Sequence, residues 1–232
     1  MKVAIMQPYF FPYVGYFQLI GAVDLFVVYD NIKYTKKGWI NRNRMLQRGG
    51  DSMFSLPLRK DSDALDVRDR ALAADFDRGK LLRQFIGAYR AAPQFSEVFP
   101  MIEQALLYED QNLFGFLHHA LICACRHLGL STPIRVSSTI DINHGLKNQD
   151  KVIALSKATG ATCYVNAIGG VGLYDKDAFL EQGLDLQFIR SRPFEYPQFG
   201  APFVPWLSII DVLMFNSLDT VQDIVSSHYD IV

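Results

Sequence analysis

Residues 1–29, MKVAIMQPYFFPYVGYFQLIGAVDLFVVY, place two short apolar runs on either side of an aromatic turn and a helical pattern. The runs Lys2 to Met6 and Leu25 to Tyr29 have the length of buried strands rather than of core helices. Between them, Tyr16 to Val23 carries apolar side chains at helical spacing. A strand, a turn, a helix and a second strand form a βαβ unit, whose ligands bind beyond the carboxyl ends of its parallel strands. This stretch therefore predicts an α/β protein with a ligand site in its first turn.

The predicted turn, QPYFFPYVGY over residues 7–16, is rich in aromatic side chains and contains two prolines. A hydrophobic turn packed under a neighbouring loop would account for this composition without a ligand. We favour a small-molecule site, because the segment also supplies polar tips and Gly15, where a backbone can approach a ligand closely. The polar tips are those of Gln7, Tyr9, Tyr13 and Tyr16.

The length and composition of the chain allow one large core and argue against several classes of partner. With 232 residues, half of them hydrophobic, the chain suits a single α/β domain over 1–232 with a helical insertion at about 77–130. A net charge of −1 gives no overall field that would attract DNA or an anionic membrane. The sequence has no signal-like start and no apolar run of the roughly 20 residues that span a bilayer. We therefore expect a cytoplasmic protein without membrane insertion.

The cysteine and histidine residues do not follow a metal-binding pattern. The three cysteines offer no pair suited to a disulfide framework, which fits a reducing compartment. Two of them, Cys123 and Cys125, would point about 200° apart on a helix. The cluster of His118, His119 and His127 lacks the i, i+4 histidine spacing and the acidic ligand that are typical of a metal helix. We expect no metal site.

Helical patterns fill the middle of the chain, and strands then alternate with helices again. Apolar spacing of three and four predicts helices from Asp77 to Ala92, over Met101 to Leu106 and from Leu113 to Gly129. A strand over 54–58 and a weaker one over 65–72 precede them. The later predicted strands are Ile134–Ser137, Thr162–Asn166 and Leu184–Ile189, and the later helices are 149–158, 175–182, 207–215 and 221–225. The order predicts a mostly parallel sheet with Rossmann-like topology.

Polar residues beyond the second strand form a second candidate group. Asp30 ends that strand, and the segment NRNRM over 41–45 follows a basic loop. Arg42 and Arg44 can clamp a diphosphate with paired hydrogen bonds. A solvated basic face would explain the same two arginines.

The C-terminal half adds a third group. Asn166 ends a predicted strand and should face the same cleft as Gln7 if both strands are parallel members of one sheet. The following corner contains Gly169 and Gly170, which either cradle a phosphate with bare backbone N–H groups or only form a tight turn. Asn166 either binds ligand or shapes this corner through an Asx-turn. Further on, a proline-paced loop presents binding groups on Tyr196 and Gln198.

Several of these motifs together resemble the WbqC-like family. They are MQPYFFPYVGYFQLI at the start, NRNRM, the Tyr164 to Tyr174 stretch, the triplet at 196–198 and LSIIDVL at 207–213. The resemblance runs from Met1 to Asn216, and its first motif is the most specific one. It implies a bacterial protein encoded in gene clusters for O-antigen and other surface polysaccharides, often near genes for unusual amino sugars.

A second likeness concerns chemistry. In adenylate-forming nucleotidyltransferases and in pantothenate synthetase, a strand is followed by a turn with the pattern His-x-Gly-His, whose imidazoles stabilise phosphate charge. The equivalent stretch here is similar but reads Tyr13-Val14-Gly15-Tyr16. The likeness implies a nucleotidyltransferase-like topology and a nucleotide-shaped site. Two neutral phenols in place of imidazoles argue against ATP cleavage, although tyrosine can stack on a base or sugar and donate to phosphate.

The resemblances lead to two functional hypotheses. The first is a transferase that attaches an acyl or aminoacyl group, such as glycyl, to the amine of a nucleotide-linked deoxy amino sugar. Asp30 would be its base or amine anchor, unless it only caps the next turn, and Gln7 and Asn41 would orient the substrate. The cofactor stays open between ATP with an amino acid, an acyl thioester and an aminoacyl-tRNA, so tRNA is not excluded as a partner. The second is a non-catalytic nucleotide-sugar or glycan-binding scaffold, and a homodimer is left open for both.

Overall fold

The computed structural model describes residues 1–62 and 64–232, which form eight strands and eight longer helices. The strands are β1 (Lys2–Met6), β2 (Leu25–Val28), β3 (Arg42–Gln47), β4 (Gly50–Ser55), β5 (Ile134–Val136), β6 (Cys163–Ala167), β7 (Asp185–Ser191) and β8 (Tyr229–Ile231). The helices are α1 (Val14–Gly21), α2 (Arg78–Tyr89), α3 (Phe95–Leu106), α4 (Leu113–His127), α5 (Asn148–Ala158), α6 (Lys176–Glu181), α7 (Ile209–Phe215) and α8 (Leu218–Ser227).

Six of the strands form one sheet in the order β5-β2-β1-β6-β7-β8. The first five are parallel, and β8 pairs antiparallel with β7. Counted within the sheet alone, the order is 3-2-1-4-5-6, which is the strand order of Rossmann folds. The predicted α/β class and mostly parallel sheet are therefore confirmed. The order reverses between β1 and β6, and ligands of such folds bind beyond the carboxyl ends of the strands at this point.

The central strands are buried on both faces because successive side chains point to opposite layers. Val3, Ile5 and Val27 pack with residues of α5 and α6 on one face of the sheet. Ala4 and Phe26 face the other layer, which contains α1 and the helices of the insertion. These strands therefore read as continuous apolar runs rather than as alternating ones.

The predicted helical insertion consists of α2, α3 and α4, which lie between β4 and β5 in the chain. Asp77 caps α2, with its side chain accepting a hydrogen bond from the Lys80 backbone N–H. Asn112 caps α4 in the same way through the N–H of Gly115. Phe85, on α2, is fully buried in the core that the insertion shares with α1. The insertion thus thickens one face of the sheet.

Several segments differ between the sequence analysis and the observed secondary structure. The NRNRM segment is the first strand of a separate antiparallel hairpin, β3–β4, which contacts α2 and α7. The polar sequence of this segment gave no sign of a buried strand. Asn43 is nevertheless buried, because it donates hydrogen bonds to the backbone carbonyls of Phe10 and Phe11 at 3.2 and 2.8 Å. The strand predicted over 54–58 ends at Ser55, and the segment 65–72 contains a 3₁₀ turn over Val67–Asp69. The short edge strand β8 was not predicted.

Candidate functional site at the sheet reversal

A cavity of about 590 Å³ lies beyond the carboxyl ends of β1, β6 and β7, where the strand order reverses. Its volume is within the range of small-molecule sites. The turn after β1 forms one wall, the segment around Asn166 forms the floor, and the β3–β4 hairpin and Trp206 close one side. Of the predicted site residues, the cavity brings together Gln7, Tyr9, Tyr13, Gly15, Tyr16, Arg44, Asn166, Gly169 and Gly170.

The wall formed by the first turn is held by hydrogen bonds from two of its tyrosines, one to the sheet and one within the turn. The Tyr13 hydroxyl donates to Ser191 Oγ at 2.6 Å, and the Ser191 hydroxyl donates in turn to Gln18 Oε1. The Tyr16 hydroxyl donates to the backbone carbonyl of Gln7 at 2.8 Å. Burial raises the pKa of both phenols, so both stay protonated in the neutral range.

Gly15 makes room for the Tyr13 ring. A Cβ atom at this position would lie 2.4 Å from Tyr13 Cε1, closer than real Cβ contacts come. The glycine was predicted to let a ligand approach the backbone, whereas the structure shows that the nearest occupant of this space is the phenol ring. The ring therefore covers part of the N-terminus of α1, where a phosphate would otherwise meet bare N–H groups.

Two amide side chains line the floor of the cavity. Asn166 is almost fully buried, and its Oδ1 accepts a hydrogen bond from the Ala167 N–H at 2.7 Å. Its Nδ2 lies 2.6 Å from the position that a Cβ of Gly170 would occupy, so only glycine fits there. Within the described chain, neither Asn166 Nδ2 nor the Gln7 side chain has a hydrogen-bond partner. Gln7 and Asn166 thus line one cavity, and their predicted roles stay predictions.

Arg44 reaches the cavity from β3, but its charge already has a partner. Its Nη1 lies 3.2 Å from Asp51 Oδ2, and its Nη2 donates to the backbone carbonyl of Trp206 at 3.0 Å. Arg42, two residues earlier, donates from Nε to the Gly38 carbonyl at 3.0 Å and does not line the cavity. The predicted clamp of two arginines on one diphosphate is therefore not assembled in this structure.

Asp30 and Asn41 also lie outside the cavity. The Asp30 carboxylate is buried and accepts hydrogen bonds from Ser137 Oγ at 2.8 Å and from Ser138 N at 2.9 Å. Burial raises the pKa of Asp30, but the hydrogen bonds from both serines outweigh it and the pKa is lowered. Such a carboxylate is a weak base, and here it caps the 3₁₀ turn over Ser137–Thr139.

Asn41 accepts a hydrogen bond from the Tyr34 hydroxyl at 2.9 Å and donates one to the carbonyl of Leu56. Its side chain therefore has a structural role.

Tyr196 and Gln198, which were predicted to bind substrate, belong to a buried network away from the cavity. The Tyr196 hydroxyl and Gln198 Nε2 donate to Asp211 Oδ2 at 2.8 and 2.7 Å. The Tyr89 hydroxyl donates to Asp211 Oδ1 at 2.8 Å. Burial raises the pKa of Asp211 in spite of these three donors. The network fixes α7 and the segment before it. Its sequence signal was the aspartate inside the apolar run LSIIDVL, because a buried carboxylate needs hydrogen-bond donors.

The cavity also contains residues that the sequence reasoning missed, among them Trp39, Trp206, Ser191 and Tyr174.

In the described part of the chain, no three His, Cys, Asp or Glu side chains come together to hold a metal ion. None of the helices that the structure describes is long and apolar enough to cross a membrane.

A family model described as the WbqC-like protein family matches residues 7–223, which include most of the residues lining the cavity. The chain belongs to the WbqC-like family. This WbqC-like protein is 30% identical over 218 residues to a Mycobacterium tuberculosis (strain ATCC 25618 / H37Rv) protein named "Uncharacterized protein Rv1507c", and the match covers 93% of each chain. No solved structure matches the WbqC-like chain.

Proposed function

We propose that this WbqC-like protein binds a nucleotide-linked deoxy amino sugar in the cavity and transfers an acyl or aminoacyl group, such as glycyl, to its amine. The observation that carries the proposal is a cavity at the reversal of a Rossmann-ordered sheet, with aromatic walls and with the Gln7 side chain and Asn166 Nδ2, which have no partner in the described chain, on its floor. Amides suit hydroxyl and amino groups, and aromatic faces suit sugar rings and bases. The pathway that the family resemblance implies, O-antigen or surface polysaccharide synthesis, would supply such a substrate.

The character of the cavity favours a neutral amine. Among the described residues that line it, Arg44 is the only charged side chain, and most of the others are apolar or aromatic. Desolvation in this largely apolar cavity disfavours an ammonium ion, so the amine enters after losing its proton to water. The lone pair of the neutral nitrogen then attacks the carbonyl carbon of the activated acyl donor. The C–N bond forms, the leaving group departs with its bonding electrons, and the second proton of the amine passes to water.

The floor offers donors for the oxyanion of this step. Asn166 Nδ2 has no hydrogen-bond partner in the described chain, and Gly169 is the second residue of a 3₁₀ turn over Ile168–Leu173 whose first N–H groups have no partner within the turn. Apart from its chain neighbours and the backbone of the turn itself, no described atom lies within 4 Å of the place of a Cβ on Gly169, so an acyl oxygen can approach the backbone there. Donors placed at a developing oxyanion are among the largest single contributions to acyl transfer.

The experiment is a product assay with the purified protein and a nucleotide-linked 4-amino sugar. The acyl donor is supplied in separate arms as ATP with glycine, as an acyl thioester and as glycyl-tRNA, and the amide product is detected by mass spectrometry. We expect product in one arm, its loss in Asn166→Ala, and normal turnover in Gln104→Ala, which removes an exposed amide on α3. Absence of an amide in all three arms would contradict the transferase.

One observation favours a second function, a non-catalytic sugar-nucleotide-binding scaffold. No Asp, Glu, His, Lys or Cys is among the described residues that line the cavity, so no side chain there can shuttle a proton near neutral pH. Calorimetry separates the two functions. Tight binding of the nucleotide sugar without turnover in any donor arm supports the scaffold.

A further inference from the structure

Both tryptophans of the chain line the mouth of the cavity. Trp39 precedes the β3–β4 hairpin and is 41% exposed, and Trp206 precedes α7 and is 63% exposed. Large aromatic side chains normally contribute their area to a core or an interface. Both of these rings instead leave a large part of their surface exposed.

Trp206 is also held in a strained conformation. Its backbone φ of 62° lies in the left-handed region, which is uncommon for a bulky side chain. Hydrogen bonds fix the chain directly after it, from Ser208 N to the Arg44 carbonyl at 2.9 Å and from Ile209 N to the Pro12 carbonyl at 2.9 Å. Strain of this kind persists where surrounding contacts impose it, and it clusters at ligand sites. The fold thus holds an exposed ring in place at an energetic cost.

Arg44 connects the two tryptophans. Its guanidinium carbon lies 5.8 Å from the centre of the Trp39 ring, and its Nη2 donates to the Trp206 carbonyl. The Trp206 ring meets the Tyr13 ring edge to face, with centroids 5.5 Å apart. Because Asp51 already neutralises Arg44, the mouth offers flat π faces and a planar guanidinium rather than a free charge for a phosphate.

We infer that Trp39 and Trp206 form an aromatic clamp that binds the planar base of a nucleotide at the cavity mouth, with the attached group pointing to the floor. The inference rests on the proposed function and adds the orientation of its ligand. Stacking on aromatic faces tolerates every base, so the clamp can hold the base of the nucleotide sugar or the adenine of an acyl donor. The amides of Gln7 and Asn166, which suit a sugar, lie on the floor instead.

The test uses calorimetry and intrinsic tryptophan fluorescence on the whole chain. The ligands are UDP, dTDP, ATP, the nucleotide-linked amino sugar and an amino sugar 1-phosphate that has no base. The variants are Trp39→Ala, Trp206→Ala and Trp39→Phe, and Leu180→Ala is the control because it removes a 70% exposed side chain on α6. Circular dichroism checks folding, and Trp39→Ala carries the test if Trp206→Ala does not fold.

We expect the base-bearing ligands to quench fluorescence and to bind each alanine variant about 5-fold to 150-fold more weakly, as the loss of one stacked base predicts. The sugar phosphate should leave the emission unchanged and bind wild type and variants equally. Trp39→Phe should keep most of the affinity. Preference for ATP over UDP and dTDP assigns the clamp to the donor, and the reverse assigns it to the nucleotide sugar.

Two results overturn the inference, and they differ from each other. If every base-bearing ligand, ATP included, binds wild type and both alanine variants with equal affinity, the clamp is wrong and the proposed function stands. If neither the nucleotide sugar nor the sugar phosphate binds wild type, the proposed function fails and the clamp fails with it.

Discussion

The amide of Asn166 provides the sharpest test of the candidate site, because its two ends serve different purposes. Its Oδ1 accepts a hydrogen bond from the Ala167 N–H, whereas its Nδ2 has no partner in the described chain and lies at the cavity floor. Asn166→Ala removes both ends. Asn166→Asp keeps an acceptor for Ala167 and replaces only the free donor.

The expected magnitudes separate stability from binding. Loss of one neutral hydrogen bond costs about 0.5–1.5 kcal/mol, and Ala167 is only partly buried, so the free energy of unfolding should fall by about 1 kcal/mol or less in Asn166→Ala. For a chain of this size this lowers Tm by roughly 2–4 °C. A ligand group left without its buried partner costs about 1–3 kcal/mol, which weakens binding about 5-fold to 150-fold. Asn166→Asp should likewise lose binding to a ligand acceptor.

The measurements are Kd for the nucleotide-linked amino sugar and Tm, with Asn143→Ala as the matched control. Asn143 makes a similar amide-to-backbone contact, from Gly145 N to Oδ1 at 3.0 Å, in an exposed loop. The control should lose a little stability and no affinity. If Asn166→Ala lowers Tm while the folded protein binds with unchanged Kd, Asn166 only shapes the glycine corner and the reasoning is refuted.

Three further predictions concern the walls of the cavity and a buried carboxylate. Gly15→Ala should cost about 1–3 kcal/mol, as overpacking does, because its Cβ would meet the Tyr13 ring at 2.4 Å, and urea unfolding measures this. Trp206→Gly should weaken nucleotide binding but change the free energy of unfolding by no more than about 1 kcal/mol. Relief of the left-handed strain should offset the lost ring contact and the backbone entropy of glycine. A loss of several kcal/mol would show that the ring belongs to the core. Ser138→Ala should raise the pKa of Asp30, because it removes a hydrogen bond that lowers this pKa. The lowered pKa stabilises the folded protein at pH values above the ordinary pKa of 3.8. This stabilisation is lost as the pH falls through the folded-state pKa. Melting at pH 7 and near pH 3 should therefore show a gap between wild type and Ser138→Ala that narrows in acid, and a constant gap contradicts this role of Asp30.

The fold was largely predictable because its central strands carry their own signal. The run from Lys2 to Met6 is apolar on both faces, as a strand buried between two layers must be, and the helical spacing after it is equally local. The three-residue strand β8 was not predictable, since Tyr229–Ile231 is half exposed and takes its structure from pairing with β7.

The site was predictable only where it follows directly from the ends of the parallel strands. Gln7 and Asn166 were placed together because the topology alone brings such positions to one edge. Asp30 also ends a strand, but β2 lies next to β5, and the serines after β5 take up its carboxylate. Trp206 had no local signal, because its position depends on contacts with Arg44 and the first turn, far away in the chain.

The chain of hydrogen bonds behind Tyr13 determines which ligand groups can face this wall. Gln18 Nε2 donates to the backbone carbonyls of Ile224 and His228, so its Oε1 can only accept, and the single proton of Ser191 is committed to it. The phenol proton of Tyr13 is then committed to Ser191, and the Tyr16 proton is committed to the Gln7 carbonyl. Both phenols therefore present only lone pairs to the cavity. These two phenols can accept N–H and O–H groups, such as those of an amine or a sugar hydroxyl, and they have no proton to offer a phosphate oxygen.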